Sequence, residues 1–290
     1  MELGLLISVT GLKVPAFPDG ARLARELGYD CVELGGCCPS GHDTVADLGG
    51  WEPSDARELA GEIRDLGLGI SALQCHTDYL AADPAAVRRR VDHTKYIIDL
   101  AYAMAVDLVH TVSGPLPAGM SAEEGFALLT ECYEDILAHA AGAGVGVAIE
   151  PVFVYHVGNL ASTRALFARL GRDDLTINFD PSHFPYHRED PVPFIQAFGD
   201  RIRHCHSKDA RIEPLPAGAQ PGEHAWDMGS GEQFRFAPPG QGVLDWPGLI
   251  GALREVGFDG VISLELGHGI PDEVQAARDN EAFLRPLIAE

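Results

Sequence analysis

The sequence predicts a single (β/α)8 barrel over residues 1–290, with a long active-site loop at about 210–241. Three observations predict it. Eight short β-rich runs alternate with stretches of helical period along the whole chain. The 290 residues, 46% of them hydrophobic, carry enough apolar material for one large core. The Gly-rich first turn that usually opens a doubly wound sheet is missing.

The runs fall near residues 3–8, 30–34, 69–75, 106–112, 145–150, 174–180, 201–208 and 260–266. After the second run, Ala56, Leu59, Ile63 and Leu66 recur at helical spacing. Val87, Val91, Ile97, Ile98 and Ala101 do so after the third, and Phe126, Leu129, Tyr133 and Leu137 after the fourth. Two connections are long, residues 35–51 after the second run and 210–241 after the seventh. The latter is rich in proline and glycine, and a complete βα unit follows it, so it reads as an active-site loop rather than a linker. No repeat of fixed period or low-complexity tract is visible.

Composition narrows the function classes. The formal charge of −22 opposes any action that rests on many phosphate contacts, so nucleic acid and anionic membrane are poor partners. Only Lys13, Lys95 and Lys208 are lysines, which makes a lysine in a chemically interesting place harder to dismiss. The six cysteines, Cys31, Cys37, Cys38, Cys75, Cys132 and Cys205, show no Cys-x-x-Cys spacing, and three sit in apolar strand-like runs. The chain opens without a basic leader, and no apolar stretch approaches the roughly 18 to 20 residues of a membrane span. A cytoplasmic, reducing location is the expectation.

Strand alternation indicates which side chains point inward. In Val145-Gly146-Val147-Ala148-Ile149-Glu150 the β-branched set faces the helices, leaving Gly146, Ala148 and Glu150 on the axis. The same parity turns Thr176, Asn178 and Asp180 inward, then His204, His206 and Lys208, then Val261, Ser263 and Glu265. Four consecutive strands thus end with an inward acid or histidine at the rim where barrels of this kind carry their chemistry. Three converging carboxylates repel unless a cation is present, and Glu150, Asp180, His206 and Glu265 offer three hard oxygens and an imidazole to a divalent metal. Each acid alone could equally cap a helix or pair with an arginine; four at matching heights argue for a site.

Several segments carry a family resemblance: Ile149-Glu150-Pro151, Asn178-Phe179-Asp180-Pro181-Ser182-His183, His204-Cys205-His206-Ser207-Lys208-Asp209, Gly240-Gln241-Gly242-Val243-Leu244-Asp245-Trp246, and Gly257-Phe258-Asp259-Gly260 leading to Leu264-Glu265. In order and spacing they resemble the sugar phosphate isomerase/epimerase family, the xylose isomerase-like barrels. The first 140 residues match mainly in layout. The resemblance implies one divalent ion held by Glu150, Asp180, His206 and Glu265, with both glutamates also serving as acid/base groups, as in the ketose 3-epimerases of that family. It further implies that His183 contacts a substrate oxygen, unless that histidine makes only a structural hydrogen bond. Arg235 stands where related members carry a substrate-facing arginine.

Lys208 could contact substrate or simply pair with Asp209 at the rim. Glu33 and His76 end the second and third runs and His110 sits near the end of the fourth, where they could floor a sugar pocket or hydrogen-bond the rim. His204 reads as a buried histidine one layer deeper, and Arg88-Arg89-Arg90 as a solvated helix face.

The leading function is an epimerase or isomerase of a ketose, keto-sugar or inosose that moves a proton through a metal-stabilised enediolate. The alternative is a dehydratase or lyase on the same site. The apurinic endonucleases also resemble this chain: His76, His110, Glu150, Asp180, His183, His206 and Glu265 match seven of their ligand positions. Their remaining Asp-x-His pair falls on Phe234 and Phe236, which cannot ligate a metal. A non-catalytic sugar-binding subunit is opposed by the intact Glu150 and Glu265. With only Lys208 and Arg235 as rim cations, the substrate is expected to be unphosphorylated. Manganese suits the ligand set best, magnesium, cobalt or zinc could replace it, and a homo-oligomer stays open.

Overall fold

Eight parallel strands, β1 (Glu2–Ser8), β2 (Cys31–Leu34), β3 (Gly69–Cys75), β4 (Leu108–Val112), β5 (Gly146–Glu150), β6 (Leu175–Phe179), β7 (Ile202–Ser207) and β8 (Val261–Leu264), pair in chain order. The ring closes where β8 returns to β1, with Glu2 opposite Val261 and Leu5 opposite Leu264. This is the expected (β/α)8 barrel. The computed structural model describes residues 1–8, 12–13, 16–35, 51–267 and 269–289. The 35–51 connection lies outside them except for its two ends, as do Cys37 and Cys38.

The helices are α1 (Phe17–Leu27), α2 (Pro53–Asp65), α3 (Pro84–Ala103), α4 (Ala122–Ala143), α5 (Leu160–Leu170), α6 (Val192–Phe198), α7 (Trp246–Glu255) and α8 (Glu273–Ala289). Their ends follow local chemistry. α4 starts in a reciprocal cap, in which the Glu124 amide donates to Ser121 Oγ and the Ser121 amide to the Glu124 carboxylate. It stops at Gly144, whose φ of 70° is in the left-handed region that favours glycine. Among the described residues no helix is long and apolar enough to cross a membrane.

Alternation divides the apolar side chains between two compartments. Leu3, Leu5, Ile7, Val147, Ile149, Leu175, Ile177, Ile262 and Leu264 are fully buried between the strands and helix faces that include Ile63, Ile97, Leu129, Leu166, Ile250 and Leu284. Inside the barrel a small plug of Ala72, Leu108 and Ala148 fills the axis. The next inward position on β4 is His110 and on β5 Glu150, so the polar cluster stands on this plug toward the C-terminal ends of the strands.

The segment expected as a loop at 210–241 is mostly folded. Asp209–Pro214, Trp226–Asp227 and Glu232–Ala237 form a three-stranded antiparallel sheet, with Phe234 opposite Ile212 and Phe236 opposite Ala210. Its hydrophobic face explains the folding. Phe234 is buried against Phe153 and Ala210, with Trp226, Tyr186 and Phe236 around them. The base is pinned by Asp209, whose carboxylate accepts the amides of Ala210 (2.7 Å), Gly240 (3.1 Å), Gly242 (3.2 Å) and Leu244 (3.2 Å). A side chain at Gly242 would put its Cβ 2.0 Å from Asp209 Oδ1, which accounts for the glycine.

Candidate metal centre and active site

Glu150 ends β5, Asp180 and Glu265 follow directly on β6 and β8, and His206 lies in β7. Asp180 caps the 3-10 turn Pro181–His187: its Oδ1 accepts the Ser182 amide at 2.8 Å, leaving Oδ2 for the barrel axis. One ligand atom from each of Glu150, Asp180, His206 and Glu265 lies within 4.8 Å of the others. His206 Nδ1 is 3.1 Å from Glu265 Oε2, 3.5 Å from Glu150 Oε2 and 3.9 Å from Asp180 Oδ2. Glu150 and Asp180 are about 1% exposed, while the Glu265 side chain, at 18%, reaches toward the open end.

Two nitrogen donors crowd this cluster. Lys208 Nζ stands 2.7 Å from Asp180 Oδ2, contacts Glu265 Oε2, and lies 4.6 Å from the Phe236 ring centre. His183 Nε2 is 3.2 Å from Glu150 Oε1 and 3.4 Å from Asp180 Oδ2. Lys208 therefore does not take the rim pairing with Asp209 left open above, because successive strand residues point to opposite faces and Asp209 turns outward to its loop.

The electrostatics follow from burial and neighbours. Burial opposes the charge on Glu150, but His206, His183 and His76 hold its carboxyl well below the ordinary range. Burial likewise works against Glu265, and Lys208 and His206 pull it down. His206 is raised despite its burial by Glu33, Glu150 and Glu265, and Lys208 by Asp180, Glu265 and Glu150. His204, where burial dominates, falls to about 3 and stays neutral.

These residues fit a divalent ion. The donor set is three carboxylate oxygens and one imidazole nitrogen, and the buried Asp180 Oδ2 has no well-aligned hydrogen bond despite the nearby ammonium. Two further groups adjoin this set among the described residues: Glu33, His204 and His206 share His206, and His76, His110 and Glu150 share Glu150. His76 Nε2 is 3.2 Å from Glu150 Oε2 and 3.3 Å from His110 Nδ1, which is 4.0 Å from the same oxygen.

Two expected pocket residues stand elsewhere. Arg235 is on the face of the insertion sheet opposite Phe236, the residue whose ring meets His183 and Lys208. Its guanidinium turns to Glu213 at 3.9 Å and the Glu223 carbonyl at 3.5 Å, so the structure does not bring it to the cluster. Glu33 is fully buried beneath the ligand set among His110, His204 and His206, not on a pocket floor.

Other contributors carried weaker signals. Asn178 donates to Glu150 Oε2 at 2.9 Å and accepts from His204 Nδ1 at 2.9 Å; parity turned it inward without assigning it a partner. Gln74, one pleat below His76, lies 3.5 Å from Glu265 Oε1. Phe153 stacks on His183 at 5.5 Å and Trp226 meets Phe236 at 5.5 Å, an aromatic wall beside the cluster that only the folding of the insertion creates.

The model of the family described as the xylose isomerase-like TIM barrel matches residues 21–287. The chain belongs to this family. An inosose dehydratase of Lacticaseibacillus casei is 30% identical over 123 residues, which span 41% of this chain and 41% of that protein. The aligned stretch thus covers less than half of that relative. Among solved structures, the IolI protein with a binding zinc atom superposes with a TM-score of 0.78 at 19% identity, covering 100% of this chain and 98% of that one. D-psicose 3-epimerase, solved in the presence of D-fructose, gives a TM-score of 0.76 at 15% identity, with 100% of each chain covered. At these identities the structural likeness concerns the fold.

Proposed function

We propose that the chain is a divalent-metal-dependent epimerase or isomerase of an unphosphorylated ketose, keto-sugar or inosose. The observation that carries the reading is the convergence of Glu150, Asp180, His206 and Glu265 within 4.8 Å, beside an exposed edge and an aromatic wall. A divalent ion held by these four residues would supply Lewis-acid polarisation of a keto group, with manganese expected from the donor set.

The rest of the chemistry belongs to the side chains. Glu150 and Glu265 reach the cluster from strands three apart, so they can serve opposite faces of a carbon next to the carbonyl. One carboxylate takes the proton, the carbon–hydrogen pair moves into the enediolate, and the other carboxylate returns a proton to the opposite face. The His183 imidazole and the Lys208 ammonium lie beside these oxygens and can hydrogen-bond sugar hydroxyls. The aromatic wall offers an apolar surface to the C–H face of a ring.

The test is a panel of ketoses and inososes incubated with the manganese-loaded protein in heavy water. Solvent deuterium at one inverted carbon supports the reading, and Glu150→Gln or Glu265→Gln should each abolish turnover with metal content checked alongside. Retention of the substrate hydrogen at that carbon rejects the two-base scheme. The 30% match to an inosose dehydratase favours one second reading, elimination of water after the same proton abstraction. A product lighter by one water would establish it.

A further inference from the structure

Glu33 comes from β2, across the ring from the strand that carries Asp180, yet its buried carboxylate touches two rings that serve the cluster. Glu33 Oε1 lies 3.3 Å from His206 Nε2 and within hydrogen-bond contact of His110 Nε2. The opposite nitrogen of each ring faces upward. His206 Nδ1 points to Glu265, Glu150 and Asp180, and His110 Nδ1 points to His76 and Glu150. Asn178 Nδ2, whose hydrogen bond goes to Glu150 Oε2, also stands 3.4 Å from His110 Nδ1, 3.3 Å from His206 Nε2 and 3.5 Å from His206 Nδ1, so it selects neither tautomer and the assignment rests on the two Glu33 contacts.

We infer that Glu33 is a shared positioning residue: one carboxylate accepts the Nε2–H of both His206 and His110 and thereby aims both Nδ1 lone pairs at the two groups that meet on Glu150. A histidine that donates its second ring nitrogen to a carboxylate has a fixed tautomer and ring orientation, and removal of such a partner typically weakens metal binding by about 10- to 100-fold. On this assignment Glu33 acts through the histidines. Its depth is consistent with this role, because no solvent competes for its oxygens.

The inference rests on the metal reading of the cluster, and the experiment separates the two. Protein labelled with 15N-histidine is loaded with zinc ion alone, and two-bond proton–nitrogen correlation identifies which nitrogen of each ring bears hydrogen. Nε2–H on both His206 and His110 is expected. Glu33→Leu should lower zinc affinity by about 10- to 100-fold in competition titrations and shift both ring signals. Glu33→Gln, which keeps a carbonyl oxygen in place, should recover most of the affinity. Nδ1–H on either ring of the wild-type protein overturns the inference even if Glu33→Leu fails to fold. Wild-type zinc uptake with unchanged affinity in Glu33→Leu overturns it alone, whereas no uptake by the wild type removes the metal reading with it.

Discussion

The carboxylate of Asp209 accepts the indole N–H of Trp246 at 3.1 Å, joining the residue that opens the insertion to the first residue of the helix that follows it. With four backbone amides on the same carboxylate, this clamp holds both ends of the insertion against the barrel. Phe236 reaches Lys208 and His183 from within that insertion, so the clamp also sets the aromatic wall.

Asp209→Ala is therefore expected to cost about 3 kcal/mol or more, since hydrogen bonds to a charged acceptor contribute about 1.5 to 3 kcal/mol each and water recovers only part of them. Denaturant unfolding measures the loss. Hydrogen exchange should localise it to residues 210–244. Protection there equal to the wild type would show that the insertion is held by its aromatic face instead.

Lys208 occupies the carboxylate cluster as an internal cation. Lys208→Met should tighten divalent-ion binding by about tenfold or more, because removing a unit charge some 4 Å away is worth about 1 kcal/mol in water and more inside a protein. Turnover should fall at the same time if the ammonium serves the substrate. Calorimetric titration with manganese checks the first effect. Weaker binding in the variant would mean that Lys208 organises the ligands rather than competing with the ion.

Metal analysis of protein purified without chelator should give roughly one equivalent of divalent ion, since among the described residues one four-residue ligand set is complete. Asp180→Asn should reduce it, and His76→Ala should leave it unchanged. A second equivalent that disappears in His76→Ala would assign a further ion to the group of His76, His110 and Glu150.

Burial raises the thiols of Cys31 and Cys132 from near 9 to about 12. The folded state then holds protons that the unfolded chain releases above the ordinary thiol value. Stability should accordingly fall as the pH rises from about 9 toward 12, by up to about 1.4 kcal/mol per pH unit for each such group. Alkylation kinetics report the same burial: Cys31, Cys75, Cys132 and Cys205 should stay unmodified until the chain unfolds. Rapid alkylation of any of them in native protein would contradict the packing.

The sequence by itself determined the barrel and the direction of its inner residues, because both depend on local periodicity. A strand's parity is a property of the strand, and once Val147 and Ile149 face the helices, Glu150 faces the axis. Heights and partners were decided only by the tertiary structure. The ladder slips beside Glu33, between Val32 and Glu33, and again between Ile177 and Asn178, and such shifts leave no trace in composition. They accompany the burial of Glu33 beneath two histidines and the placement of Asn178 between Glu150 and His204. The 210–241 segment shows the same division. Its prolines and glycines read as loop, while the pairing of Phe234 with Ile212 and of Phe236 with Ala210 joins residues more than twenty positions apart. That pairing turns Phe236 toward Lys208 and Arg235 away from it, a choice of face that depends on which strands meet and not on either strand alone.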